Sequence, residues 1–328
     1  MVPLFLLLFL LLPILPAQPQ PNGYNAPRSP APIRIDGHID AAWNAAPWTS
    51  PFVDIEGPAK PLPRFATRAK MMWDHQFFYI AAELEEPHVW ATLTQHDAVI
   101  FHDNDFELFI DPDGDSHQYF EFEINALNTS WDLFLPKPYK DGGKADNGWE
   151  IPGLRTAVQV QGTRNNPADN DKGWTIEIAI PWSAFGPAAG MALPPKQNDV
   201  WRVNFSRVEW QHELHQGAYR RVPGTREDNW VWSPQGKINM HLPEHWGYVR
   251  FAATAAGPPP ADPLWPVRMR LQAYYQRQYD FRKANGRWAA AAELPPAAGI
   301  SLAPSADGSW RACEGALCIR ADAKFEKN

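Results

Sequence analysis

The feature of this sequence that most restricts its fold is a series of short segments in which apolar and polar residues alternate. Residues 105–111 and 119–125 show the alternation most clearly. Because the side chains of a β-strand point alternately to its two faces, each segment predicts a strand with one face in a core. The predicted apolar faces consist of Phe106, Leu108, Ile110, Phe120, Phe122 and Ile124.

Further segments of this kind extend over most of the chain. They are rich in aromatic and β-branched residues and are bounded by Gly, Pro, Asn or Asp, as strands usually are. They are residues 68–73, 77–84, 130–135, 155–161, 174–180, 200–208 and 246–251. The 34 prolines also disfavour long helices. We therefore predict an all-β fold for residues 33–252, a jelly-roll-like β-sandwich of two antiparallel sheets.

The N-terminal segment predicts export. Residues 4–15 are almost entirely apolar, a run that is too short to span a bilayer comfortably but typical of a signal peptide. We expect residues 1–17 to be a signal peptide and the protein to be periplasmic or extracellular, with an uncleaved anchor as the alternative. No later run is long and apolar enough to span a membrane. The Pro-rich residues 18–32 predict an extended linker.

The C-terminal segment, residues 264–328, predicts a small α+β appendage. The Pro-rich residues 257–263 favour a boundary that few contacts cross. Residues 266–284 predict an amphipathic helix that ends at Gly286, followed by three short strands. The chain's two cysteines, Cys313 and Cys318, would form a disulfide in an oxidising compartment, and two free thiols are the alternative.

Charge and aromatic content restrict the partners. The net charge of −7 argues against nucleic acid, whose binding proteins carry basic patches. Sixteen Trp residues exceed what a core of this size needs, so we expect some of them to contact a flat ligand. The polar faces of the two best strands carry Glu107, Glu121, Glu123 and Asn125. These residues indicate either a solvated outer face or a polar binding surface.

Six motifs, in the same order, resemble those of family 9 carbohydrate-binding modules. The first, residues 35–43, is similar to that family's Ile-Asp-Gly-x-Ile-Asp-x-x-Trp opening. The others are residues 72–80, 103–111, 119–125 and 173–182, and a closing motif formed by residues 232–234 and 246–247. The resemblance implies a β-sandwich that binds a poly- or oligosaccharide without cleaving it and that supports carbohydrate catabolism, since such modules often accompany glycoside hydrolases.

The resemblance also implies the site residues. An aromatic ring covers the apolar face of a sugar, while carboxylates and amides bind its hydroxyl groups. Phe101 stands where the family has a clamping Trp, Met240 where it has the second Trp, and Glu123 where it has an Arg. Glu107 and Asn125 match the family pattern.

Two neighbouring residues are further candidates for the ligand site. Arg207 would pair with Glu107 or Glu123, or else form a structural salt bridge. Trp230 would be an aromatic platform or a core residue.

The sequence leaves a metal site and two other functions open. Asp111, Asp113 and Asp115 alternate in a loop, a pattern that suits Ca²⁺ but also an ordinary acidic turn. Related sandwiches hold haem between their sheets through Met, His or Lys, so Met240 and His241 keep a haem-binding electron-transfer or sensor domain possible. A glycoside hydrolase would need two opposed carboxylates, but no catalytic motif is recognisable, which makes an enzyme the less favoured hypothesis.

Overall fold

The computed structural model describes residues 20–186, 191–305 and 309–328. Residues 1–17, the predicted signal peptide, lie outside this part of the chain, so that prediction is not tested. Within the described ranges, no helix has the length and the apolar character that crossing a membrane requires.

The strands of the sandwich follow the predicted segments closely. They are β1 (Gly23–Pro27), β2 (Val53–Asp54), β3 (Thr67–Trp73), β4 (Phe77–Glu85), β5 (Asp105–Asp111), β6 (Tyr119–Asn125), β7 (Ser130–Leu135), β8 (Arg155–Gln161), β9 (Gly173–Pro181), β10 (Val200–Glu209), β11 (His212–His215), β12 (Ala218–Arg221), β13 (Asp228–Val231) and β14 (Gly247–Ala252). Short 3₁₀ turns occupy Ala41–Ala45, Ile100–His102, Tyr139–Asp141, Trp182–Phe185 and Pro243–His245. The sequence did not predict β1, β2, β11, β12 or β13, which are short or irregular in pattern.

Two sheets form the sandwich. The larger has eight strands in the order β1-β14-β10-β5-β6-β7, with β13 pairing to β10 and β2 pairing to β13. The smaller has the order β3-β4-β9-β8. Apart from the parallel pair of β1 and β14, the ladders within these sheets are antiparallel. The predicted all-β sandwich is confirmed.

The core lies between the two sheets. The apolar faces of β5 and β6 are buried there, as the alternation predicted. From the smaller sheet, Phe78, Ile80, Ile176 and Ile178 pack into the same cluster. Removing these side chains from water is the main contribution to the stability of the fold. The outer face of the larger sheet is thereby left for other contacts.

Part of the predicted linker belongs to the sandwich. Gly23–Pro27 adds to the edge of the larger sheet, in parallel register with Tyr248 to Ala252. Tyr24 is buried in the core and donates its hydroxyl to the carbonyl of Pro47 at 2.6 Å. The prediction of an extended linker over residues 18–32 is wrong for this strand, because an open sheet edge satisfies the backbone groups of a segment that has no pattern of its own.

The C-terminal segment contains the predicted helix, α1 (Trp265–Asn285), which ends at a left-handed Gly286. A four-stranded sheet follows, made of β15 (Ser301–Pro304), β16 (Trp310–Glu314), β17 (Leu317–Arg320) and β18 (Phe325–Lys327). Cys313 and Cys318 face each other on β16 and β17 and are joined by a disulfide. The α+β appendage is confirmed, with β18 as an addition.

The appendage packs against the sandwich, contrary to the boundary predicted at residues 257–263. Tyr248 of β14 donates its hydroxyl to Asp262 at 2.9 Å. The side-chain amide of Gln272 on α1 donates to Glu244 at 2.9 Å. The amide of Phe325 donates to the carbonyl of Asp115 at 2.9 Å. Sequence composition revealed the Pro-rich connection but not these pairings, which join residues that are far apart in the chain.

Candidate functional site

A groove lies on the outer face of the larger sheet. Its floor is a row of side chains across four adjacent strands, in which Glu107 is flanked by Ser206 and Glu123, and Glu123 by Trp131. In the next row Phe109 is flanked by Glu121. The cavity volume is about 270 Å³. The pairing register thus places the polar face that the sequence identified at the bottom of a concave surface.

Loops form the walls of the groove. One wall is the 3₁₀ turn Ile100–His102, which carries Phe101. The carboxylate of Glu123 accepts a hydrogen bond from the amide of Phe101 at 2.9 Å, and the indole of Trp210 donates to the Phe101 carbonyl at 2.8 Å. The floor therefore holds this aromatic wall in place. Residues 227, 229 and 238–241 form another wall.

Tyr139 is the most exposed aromatic residue of the groove, with 45% of its surface accessible. Its ring stands edge-on to His241, with ring centroids 4.5 Å apart. The turn that carries it is held from behind by the appendage, because the Tyr275 hydroxyl of α1 donates to Asp141 and the Lys140 ammonium lies over the Tyr275 ring. The C-terminal segment thus supports one wall of the groove.

The floor concentrates negative charge. Asp105, Glu107 and Glu123 have carboxylate oxygens within 4.8 Å of one another. Burial, reinforced by these neighbouring charges, raises the pKa of Asp105, Glu121 and Glu123 well above the usual range. Burial raises the pKa of Glu107 to about 7. Taking a carboxylate out of water without a cation disfavours its charged form, so this floor favours protons or a cationic partner.

The remaining lining residues supply no opposing charge. Among the described residues that line the groove there is no Lys or Arg. Burial lowers the pKa of His241 to about 4, so its imidazole is neutral at physiological pH. The groove therefore offers hydrogen-bond acceptors beside aromatic surface, and its described lining has no cation to pair with an anionic ligand.

Four of the predicted ligand residues come together here, namely Phe101, Glu107, Glu123 and Met240. The sequence reasoning missed Trp131 and Tyr139. Trp131 had a signal, since it belongs to the alternating face of residues 130–135 and pairs with Glu123. Tyr139 follows a Pro-rich turn without any periodicity, so only the tertiary structure could place it.

Arg207 and Trp230 lie elsewhere, because both point from the larger sheet into the space between the sheets. The Arg207 guanidinium pairs with Glu86 and Glu209, each at 2.8 Å, and not with Glu107 or Glu123. Trp230 is buried in the core, with the Arg207 guanidinium 5.3 Å from its ring centroid. Alternate residues of β10 point to opposite faces of the sheet. Because Ser206 faces the groove, Arg207 faces the space between the sheets.

Asn125 is also committed to structure. Its side-chain amide donates to the Leu93 carbonyl at 2.9 Å and to Asp103 at 3.0 Å. Its side-chain oxygen accepts from the amides of Leu127 and Thr129. Asn125 thus fixes the turn after β6 and is not part of the groove lining.

The predicted calcium ligands form a separate group in the loop after β5. Oxygens of Asp111, Asp113 and Asp115 lie within 4.8 Å of one another, a spacing that suits Ca²⁺. Both oxygens of Asp111 already accept backbone amides, from Gly114 at 3.0 Å and Ser116 at 2.9 Å. Lys324 pairs with Asp115 at 2.6 Å. The donor set fits the ion, although a lysine already balances part of its charge.

The haem hypothesis finds no support in this geometry. Met240 and His241 lie on the outer face of the larger sheet, in the groove lining. The space between the sheets, where related sandwiches hold haem, is filled by the packed aromatic and aliphatic core. The half-buried His241 also has its Nδ1 beside the Tyr119 hydroxyl at 3.0 Å.

Comparison with known proteins identifies the family. The sequence profile described as carbohydrate family 9 binding domain-like matches residues 35–211, more than half of the chain. The chain belongs to this family. Its membership confirms the resemblance on which the sequence analysis relied and supports a carbohydrate ligand.

Solved structures and a curated sequence are also similar to this chain. A protein from Bacteroides uniformis, provisionally described as carbohydrate-binding, shares the fold with a TM-score of 0.54 at 15% identity, covering 70% of this chain and 99% of that one. A family 9 module from Caldicellulosiruptor kristjanssonii in complex with cellotriose has a TM-score of 0.46 at 18% identity, covering 71% and 98%. Endo-1,4-beta-xylanase A of Thermoanaerobacterium saccharolyticum is 24% identical over 159 residues, which are 48% of this chain but 12% of the xylanase.

Proposed function

We propose that this protein is exported and binds a neutral or amino-substituted poly- or oligosaccharide in the groove, without cleaving it, in support of carbohydrate catabolism. Tyr139, Phe101 and Trp131 would cover the apolar faces of sugar rings. Glu107 and Glu121 would accept hydrogen bonds from the hydroxyl groups.

The observation that carries the proposal is the juxtaposition of aromatic rings and buried acceptors in one groove. A pyranose has an apolar C–H face and a rim of hydroxyl donors, so it is complementary to this combination. One oxygen each of Glu107 and Glu121 is buried without a hydrogen-bond partner, although each residue lines the groove. A sugar hydroxyl would satisfy such an oxygen, which otherwise costs free energy.

The charge of the groove restricts the class of sugar. Its lining has four acidic residues, Glu107, Glu121, Glu123 and Glu227, and no Lys or Arg among the described lining residues, so it offers a uronic acid no cation to pair with. Neutral glucans or xylans need no such cation, and an amino sugar would add a favourable charge pair. We therefore expect no binding of polygalacturonate.

Export and calcium are parts of the same proposal. The disulfide between Cys313 and Cys318 supports export, because such bonds persist in oxidising compartments. Ca²⁺ held by Asp111, Asp113 and Asp115 would stabilise the loop that contacts β18. Calorimetric titration with CaCl₂ tests this, with Asp113→Asn as the variant expected to lose the binding heat.

Affinity electrophoresis and calorimetry on the full chain test the ligand. We expect retardation by at least one of soluble cellulose derivatives, xylan or chitosan oligomers, and none by polygalacturonate. Glu107→Gln should weaken the interaction, because the amide donates where an acceptor is needed, while Glu213→Gln, on the exposed β11–β12 hairpin, should bind normally. Absence of retardation by every polysaccharide, with folded protein, would contradict the proposal.

A second assay, for release of reducing sugar, distinguishes a glycosidase from a protein that only binds the polysaccharide. Glu107, Glu121 and Glu123 all project from the same sheet floor, whereas a glycosidase needs two carboxyl groups on opposite sides of the scissile bond. We therefore expect no release of reducing sugar from any polysaccharide that the protein retains.

A further inference from the structure

A second cluster of ionisable side chains lies at the end of β7, apart from the groove floor. His96 Nε2 is 3.4 Å from an Asp97 oxygen, 3.7 Å from an Asp132 oxygen and 3.2 Å from a Glu150 oxygen. The donor atoms of His96, Asp97 and Asp132 all lie within 4.8 Å of one another. One imidazole nitrogen thus faces three carboxylates from three different segments of the chain.

The other ring nitrogen of His96 is already oriented. Nδ1 lies 3.0 Å from the backbone carbonyl oxygen of Ser130. Because a carbonyl oxygen only accepts, Nδ1 must carry the proton, which leaves Nε2 of the neutral ring with a free lone pair. A histidine that donates Nδ1–H to a backbone carbonyl is arranged as metal-ligating histidines usually are.

The separations suit a small transition-metal ion. Bonds of about 2.0–2.2 Å in tetrahedral geometry place neighbouring ligand atoms about 3.3–3.6 Å apart. The three distances from His96 Nε2 scatter around this range. Ca²⁺ prefers oxygen ligands at longer distances, whereas an imidazole with carboxylates suits Zn²⁺.

Asp132 supplies an independent indication of a ligand. It is almost fully buried, and one of its oxygens accepts the Ile151 amide at 2.7 Å. The other, the oxygen that faces His96, has no hydrogen-bond partner, and the same holds for the Asp97 oxygen beside it.

We propose that His96, Asp97, Asp132 and Glu150 bind a Zn²⁺ ion. Glu150, the most exposed of the four, would close the coordination shell. The ion would join the loop that leads into the turn of Phe101 to the strand that carries Trp131, so it would brace two aromatic residues of the groove. The site itself does not depend on the proposed sugar ligand.

The competing occupant is a proton. Protonated His96 would pair with the same carboxylates, which raise its pKa against the opposing effect of burial. A bound metal and a proton exclude each other at Nε2, so metal titration distinguishes them. Both cysteines are in the disulfide, so thiolates of this chain do not compete for the metal.

The test is calorimetric titration of the full, chelator-treated protein with ZnCl₂, together with Co²⁺ as a spectroscopic substitute. We expect one equivalent of Zn²⁺, a higher Tm with the metal, and visible Co²⁺ absorption. His96→Gln and Asp132→Asn should weaken binding by about two orders of magnitude. His215→Gln, on an exposed strand end, is the matched control and should bind normally.

Two results would overturn the proposal. One is wild-type protein that shows neither binding heat nor a change of Tm at millimolar Zn²⁺. The other is equal affinity in wild type and His96→Gln, which would assign the metal to other residues. Should Asp132→Asn fail to fold, Glu150→Gln replaces it, since this exposed side chain can be changed without affecting folding. Sugar retention by the metal-free protein separates this outcome from failure of the proposed function.

Discussion

The two faces of the larger sheet bury charge to a similar depth but treat it differently. On the inner face, Arg207 is fully enclosed and pairs with Glu86 and Glu209 at 2.8 Å. On the outer face, Glu107 and Glu123 are nearly as buried, and no Lys or Arg among the described residues lines the groove beside them. In the inner network, hydrogen bonds between the charged groups offset the free energy of desolvation. On the outer face, only a ligand or bound protons can offset it.

This contrast separates structural from functional charge. The members of a buried ion pair use their hydrogen-bonding groups on each other and have none free for a ligand. This holds for Arg207 and its partners, although Arg and Glu are residue types that can bind a sugar. Burial raises the pKa of Glu209 to about 8 in spite of the adjacent guanidinium, so this network holds a proton as well. The groove carboxylates have free oxygens on a concave surface. The groove is therefore identified as the candidate binding site by its acceptors without a hydrogen-bond partner, and not by residue type alone.

Removing the cation of the inner face, Arg207, should have the largest effect on stability. We expect Arg207→Met to lower the free energy of unfolding by about 3–5 kcal/mol, because it leaves buried carboxyl groups without their partner. Chemical denaturation measures this. The surface pair of Arg220 with Glu213 is the control, and Arg220→Met should cost less than about 1 kcal/mol. Equal effects of the two changes would show that Arg207 is not a structural charge.

The outer face predicts that stability is lost as the pH rises. Glu107 has its pKa raised from 4.5 to about 7, so its folded-state protonation stabilises the protein fully below pH 4.5, and this contribution is lost as the pH rises to about 7. The rise corresponds to about 3 kcal/mol. We expect the Tm to fall between pH 5 and 8 in wild type.

Glu107→Gln should flatten this profile and raise the Tm at pH 8, since an amide resembles the neutral carboxyl group. Calorimetry in the presence of EDTA excludes metal effects. A variant that is less stable than wild type at pH 8 would mean that Glu107 contributes to the fold as a carboxylate.

A substitution of Tyr139 tests the contribution of the groove wall to sugar binding. Tyr139→Ala should weaken sugar binding about tenfold, the effect of losing one aromatic contact, and should leave the Tm unchanged because the ring is half exposed. Tyr279→Ala on α1, away from the groove, is the control for affinity. Retention equal to wild type would remove Tyr139 from the site.

The smallest effect concerns the appendage. Tyr275→Phe removes the hydrogen bond to Asp141 that holds the turn of Tyr139. We expect a twofold to threefold loss of affinity with an unchanged maximum of bound ligand, measured by calorimetry. Tyr274→Phe, whose hydroxyl contacts the Leu294 carbonyl within the appendage, should bind as wild type.

How much of the site was predictable follows from the kind of pattern each residue belongs to. Glu107 and Glu123 lie on regularly alternating strands, so their common face was evident from the sequence. For Arg207 the sequence left a contact with Glu107 or Glu123 and a structural salt bridge open. Its neighbours Ser206 and Val208 are polar and apolar, so the pattern does not show which face of β10 it occupies. Asn125 matches a family position, but its side chain makes hydrogen bonds within the turn after β6, which no local sequence pattern predicts.

The sequence alone determined the sandwich, because strand alternation and the family's ordered motifs depend on neighbouring residues and on which side chains avoid water. It also determined helix α1, whereas it left open whether Cys313 and Cys318 form a disulfide. The tertiary structure alone decided that β1 closes a sheet edge, that Tyr139 reaches the groove and that carboxylates from three segments face His96. These depend on contacts between distant parts of the chain, whose geometry is fixed by packing and register rather than by any local preference.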